Sequence, residues 1–239
     1  MLGYFLLLVV TVLLFVAYVM FKHKNNNSYE GLYNSGIDAY SGKKYKQSCA
    51  LFNKALIKNP EKSEVYYNLG LVYIALNNLE KAEEHFRKAI ELNSEDADSY
   101  YNLGLIFHEK NDLKKAVNYY ERALNLKDSD SEAYYSLGIV FTELLNFESA
   151  QQNLFQAIEL YPQELRYKMA LAQLFDKKSD RSGQITDIDL AIESYEEVLK
   201  IDPQNESVNF RLAICFAKKG QWEQSVNYCQ KVLEINPKS

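Results

Sequence analysis

Three histidines, three cysteines and one polar, carboxylate-bearing stretch are the side chains of this sequence best suited to carry a reaction, and their spacing serves none. His23, His85 and His108 have no accompanying set at metal-ligand or nucleophile spacing. Cys49, Cys215 and Cys229 are odd in number and form no CxxC pair. They read as small buried hydrophobes of a reducing compartment, with Cys215 and Cys229 close together in neighbouring helices. Residues 178–189 (KSDRSGQITDID) place Asp180, Ser182, Gly183, Ile185 and Asp189 like a calcium loop. Lys178 nevertheless stands where the first ligand belongs, and the last ligand is Asp rather than a bidentate Glu. That stretch is read instead as an extended turn that contacts a partner. No glycine loop for phosphate is present, because the recurring glycines sit inside helical patterns. The expectation is a protein with no catalytic residues, no metal and no cofactor.

What does recur is chemistry of recognition. Tyr-Tyr-Asn-Leu-Gly at 66–70 returns at 100–104, and returns as Tyr-Tyr-Ser-Leu-Gly at 134–138, a period of 34. Each copy is followed by an aromatic (Tyr73, Phe107, Phe141) and by two alanines (Ala82 and Ala89, Ala116 and Ala123, Ala150 and Ala157). A fixed period of this size signals stacked repeats. Tyrosine offers a large contact area at low entropic cost, and a carboxamide can pair with peptide N–H and C=O groups.

The elements that position these side chains follow from extending the register. Six units run 29–62, 63–96, 97–130, 131–164, 165–205 and 206–239, the fifth longer by seven residues. Position 8 is small in every unit (Gly36, Gly70, Gly104, Gly138, Ala172, Ala213), and so is position 20 (Ser48, Ala82, Ala116, Ala150, Ala191, Ser225). All four prolines, Pro60, Pro162, Pro203 and Pro237, fall at position 32, where a helix has to stop. Each unit therefore reads as helix A over about positions 2–14, a short turn such as Asn77-Asn78 or Asn111-Asp112, and helix B over about 18–31. Apolar residues three and four apart give each helix one buried stripe, and stacking buries what a single unit cannot.

This pattern resembles the tetratricopeptide repeat family. The residues that carry the resemblance are the packing set, complete in the second unit as Tyr66, Leu69, Gly70, Tyr73, Ala82, Phe86 and Ala89, with Ser94 where proline is usual. The resemblance implies an all-α solenoid, a right-handed superhelix of six helix-turn-helix repeats whose A helices line a concave wall, over residues 29–239. It implies that positions 2, 5, 6, 9, 12 and 13 of each A helix face that groove. Carried over, position 5 supplies Tyr33, Tyr67, Tyr101 and Tyr135, and position 6 supplies Asn34, Asn68, Asn102, Ser136 and Arg211. Position 9 adds the apolar Leu71, Leu105 and Ile139. These twelve are the expected partner-binding residues. Position 2 is acidic in four units (Glu30, Glu64, Asp98, Glu132), which favours a partner with basic segments. The carboxylate clamp of chaperone-binding relatives is not reproduced: of its five positions in the first three units only Asn68 matches, and Asp98 has the wrong charge.

Residues 2–21 contain no charged side chain and are long enough for a membrane-spanning helix. Only Met1 precedes the apolar run, so an uncleaved anchor over 1–21 is expected rather than a signal peptide. Lys22, His23 and Lys24 follow it directly, which by the positive-inside bias puts the repeats in the cytoplasm, joined by a linker at 22–28. Beyond residue 28 the chain carries 25 basic against 32 acidic side chains and lacks the basic face that nucleic acid requires. The last unit stops without a polar cap helix, so an open face within 222–233 is expected to self-associate. The function these features imply is a membrane-tethered scaffold or adaptor that binds proteins or peptides in its groove. A receptor or co-chaperone for client proteins, or a regulatory subunit of a membrane-bound machine, are the alternatives.

Overall fold

The computed structural model describes residues 27–237. The expected anchor at 1–21 and all but the last two residues of the linker lie outside them. Among the described residues no helix is long and apolar enough to cross a membrane. Twelve helices follow one another, with no strand among the described residues: α1 (Tyr29–Ser41), α2 (Tyr45–Lys58), α3 (Ser63–Ala75), α4 (Leu79–Leu92), α5 (Ala97–Glu109), α6 (Leu113–Leu126), α7 (Ser131–Glu143), α8 (Phe147–Leu160), α9 (Leu165–Ser182), α10 (Ile185–Ile201), α11 (Glu206–Lys218) and α12 (Trp222–Ile235). Two compact units divide between Ile106 and Phe107.

Helix starts and stops have local causes. Asn78, Asp112, Asn146 and Asn205 each accept a backbone N–H from the residue three further on, satisfying a donor that the first turn leaves orphaned. In the first four hairpins the residue before the N-cap of the B helix is left-handed: Lys43, Asn77, Asn111 and Leu145 have φ between 55° and 61°. Asparagine tolerates that backbone; lysine and leucine adopt it at a cost. The B helices end on extended residues, and Asn59, Tyr161, Asp202 and Asn236 precede the four prolines, whose rings exclude helical backbone from the residue before them. Asn93 and Lys127 take the same extended conformation without a following proline, so the stop is a property of the hairpin that proline reinforces.

Close approach within a hairpin explains the small residues. A Cβ placed on Gly36 or Gly70 meets the ring of Phe52 or Phe86 at 2.6 Å, and one on Gly138 meets Leu154 at 2.7 Å. The side chain at position 24 thus lies directly over the position-8 backbone. At position 20, the hydroxyls of Ser48 and Ser225 donate to the carbonyls of Gly36 and Ala213, at 2.8 and 2.9 Å. In the first unit Leu32, Phe52, Ala55, Val65, Leu69 and Val72 form one buried cluster. In the second, a larger cluster runs from Ala150 to Cys215 and includes Leu174, Phe175 and Tyr195.

Two expectations are corrected. Residues 178–189 make no extended turn: α9 and α10 lengthen to 18 and 17 residues and meet across Gly183, which is left-handed, and Gln184. The polar side chains that suggested a loop are spent locally, since Ser182 donates to Asp187 at 2.6 Å and Lys178 pairs with the same carboxylate at 3.0 Å. Burial works against the charge of Asp187, but these two partners outweigh it and hold its carboxyl below the usual range. The second correction concerns the cysteines. Cys215 is buried and Cys49 partly so, but Cys229 is exposed, because no helix covers the outer side of α12 among the described residues. All three are free thiols.

Candidate functional site

In the first unit, side chains at positions 5 and 6 link one A helix to the next. Asn68 donates to the Tyr33 hydroxyl at 3.1 Å and to the carbonyl of Glu64, one turn back in its own helix, at 2.7 Å. The arrangement recurs between α3 and α5: Tyr67 is hydrogen-bonded to the Asn102 side chain, whose amide also donates to the Asp98 carbonyl at 2.8 Å. Each ring leans on its own hairpin, with Tyr33 5.9 Å from Phe52 and Tyr67 5.8 Å from Phe86. Tyr29 stacks on Tyr33 at 6.0 Å and donates to Glu64 at 2.9 Å.

These tyrosines are therefore held at ring and hydroxyl while remaining partly exposed, as are Tyr101, Leu71 and Leu105. Asn34 is exposed and Asn102 is buried. Burial, then the carboxylates of Asp98 and Asp96, push the Tyr67 phenol up to about 12, so it remains a neutral hydrogen-bonding group near neutral pH.

The second unit carries more charge on the equivalent face. Tyr135 lies 5.1 Å from Tyr167, and the guanidinium of Arg166 sits 5.5 and 5.6 Å from the two ring centroids. Arg166 also pairs with Glu132 at 2.6 Å, and the Tyr167 hydroxyl donates to Glu132 at 2.8 Å. Glu132 is thereby neutralised by a cation, unlike Asp98. Ser136 is buried and Ile139 partly so. Arg211 stands half exposed, 3.5 Å from Asp176. Asp176 is only 4% exposed and takes a shorter bond, 2.8 Å, from Lys218, which reaches Asp180 as well at 2.6 Å. Burial, then the charge of Asp176, push the nearby Cys215 thiol up to about 12, so it persists as thiol rather than nucleophilic thiolate.

Several of these partners were not read from the sequence. Lys177 donates to the Thr142 carbonyl at 3.2 Å, and His108 meets Glu143 at 3.0 Å. The signal that would have found them is a separation of 35 residues, one more than the period, shared by Tyr29–Glu64, Tyr33–Asn68, Glu132–Tyr167, His108–Glu143 and Thr142–Lys177.

Comparison with known proteins decides the family. Two sequence profiles described as tetratricopeptide repeat match residues 64–129 and 186–239, together just over half of the chain. The chain is a tetratricopeptide repeat protein. It is 34% identical over 85 residues to a TPR repeat-containing protein, MJ1428, of Methanocaldococcus jannaschii, a match that covers 33% of this chain and 15% of that protein. Among solved structures it is similar to YrrB, described as a TPR protein with an unusual peptide-binding site, with a TM-score of 0.66 and 26% identity over 78% of this chain and 93% of the other. It shares the fold of the C-terminal part of a TPR repeat-containing protein from Cytophaga hutchinsonii, with a TM-score of 0.78 and 17% identity over 93% and 89% of the two chains. Tetratricopeptide repeats are in general non-catalytic scaffolds that bind protein or peptide partners.

Proposed function

We propose that this tetratricopeptide repeat protein is a membrane-tethered adaptor that binds proteins or peptides on the A-helix face of its repeats. The observation that carries the reading is the row Tyr33, Tyr67 and Tyr101: partly exposed rings at a 34-residue spacing, the first two anchored by hydrogen bonds to asparagines of the following A helix. Anchored aromatic side chains lose little further entropy on binding, which favours their use as contacts. The peptide-binding site named for YrrB is in keeping with such a use. On the first unit the face also carries Glu30, Glu64 and Asp98, and a partner segment with basic residues suits it.

A photo-reactive residue placed at Leu71 is expected to yield adducts of discrete mass in native membranes, and Tyr67→Ala with Tyr101→Ala to remove them. The same probe at exposed Glu84 on α4 serves as control; equal yields from both positions would overturn the reading. The tether rests on the charge-free run 2–21 followed by Lys22 and Lys24. Deleting 2–21 is expected to release the protein from alkali-washed membranes, and a full-length chain that washes off would refute it. Self-association is proposed through the outer side of α12, where Trp222 is 68% exposed and Val226 and Leu233 are at least half exposed. Sedimentation of the wild type against Trp222→Ser tests it, and a concentration-independent monomer for both would exclude it.

A further inference from the structure

Away from the A-helix face, α8, α9 and α10 enclose a cavity of about 280 Å³. One position of the register stands out in its lining. In three repeats the ring at position 11 of the A helix meets a second ring at position 23 of the B helix: Tyr73 lies 5.0 Å from His85, Phe107 5.2 Å from Tyr119, and Phe216 5.4 Å from Tyr228. The fourth and fifth repeats keep the first ring, as Phe141 and Phe175, but have Asn153 and Ser194 at the place of the second. Phe175 and Leu171 floor the cavity, and Phe155 and Leu190 wall it, 45% and 38% exposed. A hydroxymethyl group takes up far less room than a ring, so the site is apolar, open and one aromatic side chain short.

We propose that this pocket receives an aromatic side chain of a partner protein, presented beside a basic residue. The volume falls just below the roughly 300–1,000 Å³ of pockets that enclose whole small molecules, which suits a single side chain. An aromatic occupant repeats the ring-on-ring contact of the three filled repeats, and such pairs are worth more than their buried area alone. The rim carries the carboxylates of Glu193 and Glu197 and the cation of Lys168, with Lys200 beside them. Glu197 is paired with Lys200, whose hydrogen bond keeps its carboxyl below the usual range, and Glu193 is the carboxylate assigned to the partner's cation.

The test uses the full-length chain with methyl-labelled leucine and three blocked tripeptides, Lys-Phe-Lys, Lys-Ala-Lys and Glu-Phe-Glu. Lys-Phe-Lys is expected to shift the Leu171 and Leu190 methyl signals saturably, whereas Lys-Ala-Lys leaves them in place and Glu-Phe-Glu binds more weakly. Glu193→Gln should weaken Lys-Phe-Lys roughly two- to fivefold at low salt, as for an exposed ion pair. Ser194→Tyr supplies the missing ring from within and should abolish the shifts while raising the melting temperature. If that variant packs badly, Phe155→Ser with Leu190→Ser removes the walls from the surface side and should likewise abolish binding. Equal shifts by Lys-Ala-Lys, or undiminished binding by both variants, would overturn the proposal. Tyr67→Ala on the A-helix face should leave Lys-Phe-Lys binding here unchanged, which separates this site from the adaptor surface.

Discussion

Asn68 donates its side-chain amide to the hydroxyl of Tyr33, 35 residues earlier, while the same nitrogen holds the carbonyl one turn back in its own helix. The bond ties α1 to α3 and fixes a tyrosine at the proposed binding face, so stability and recognition share one atom.

Removing either member of that pair should therefore be felt in the fold. Tyr33→Phe is expected to cost about 0.5–1.5 kcal/mol and Asn68→Ala about 1–2 kcal/mol, the usual range for a hydrogen bond in a partly buried setting. The double variant should cost less than the sum, because the two share one interaction. Urea midpoints of the four proteins measure this; strict additivity would mean that the bond contributes nothing.

The turns offer a stabilising change. Lys43 is exposed and left-handed, a backbone that costs a non-glycine residue about 1–2 kcal/mol. Lys43→Gly should raise stability by up to about 1 kcal/mol, once the larger entropy of glycine in the unfolded chain is set against the relieved strain. Gly220→Ala, at φ 73°, should lower it by a similar amount. Thermal melts of the two variants should move in opposite directions.

Gly70→Ala is expected to be among the most harmful small substitutions, because the new methyl would sit 2.6 Å from the Phe86 ring. Overpacking of this kind costs about 1–3 kcal/mol. Phe86→Ala removes the ring that the methyl meets, so the Gly70→Ala loss should be smaller in that background. Strictly additive falls in Tm for Gly70→Ala and Phe86→Ala would refute the contact.

The raised phenol of Tyr67 predicts alkaline sensitivity. Its folded state holds the proton up to about 12, against 10.0 for the free side chain. Between those values the unfolded chain has released more protons, so stability falls as pH rises through the interval. Tyr29, Tyr73, Tyr167 and Tyr195 are raised as well, so spectrophotometric titration should show a late tyrosine component that Tyr67→Phe diminishes by one group, and that variant should lose less stability between pH 10 and 12.

The sequence made the hairpins legible because their packing residues stand at fixed positions and touch within one unit: Gly70 against Phe86, Ser48 against Gly36. The lengthening of α9 and α10 was obscured because Lys178, Ser182 and Asp187 resemble loop composition, although they bond to one another along helices. At the candidate site the residue types were visible and their partners were not. Asn68 and Glu132 look like free polar groups in the sequence, since the side chains that engage them, Tyr33, Arg166 and Tyr167, lie about one repeat away with no local mark.

That separation of 35 against a period of 34 has a bearing on any partner. Each A helix presents its next residue to the neighbour, so the row of contacts runs diagonally across α1, α3 and α5. Packed helix axes lie about 8–10 Å apart and an extended chain rises about 3.3 Å per residue. A strand laid across these helices meets a new one about every third residue, so its anchoring side chains fall at i, i+3 and i+6. Successive anchors then leave opposite sides of the strand, because its side chains alternate, and a twist of the backbone is what brings them all to the tyrosines.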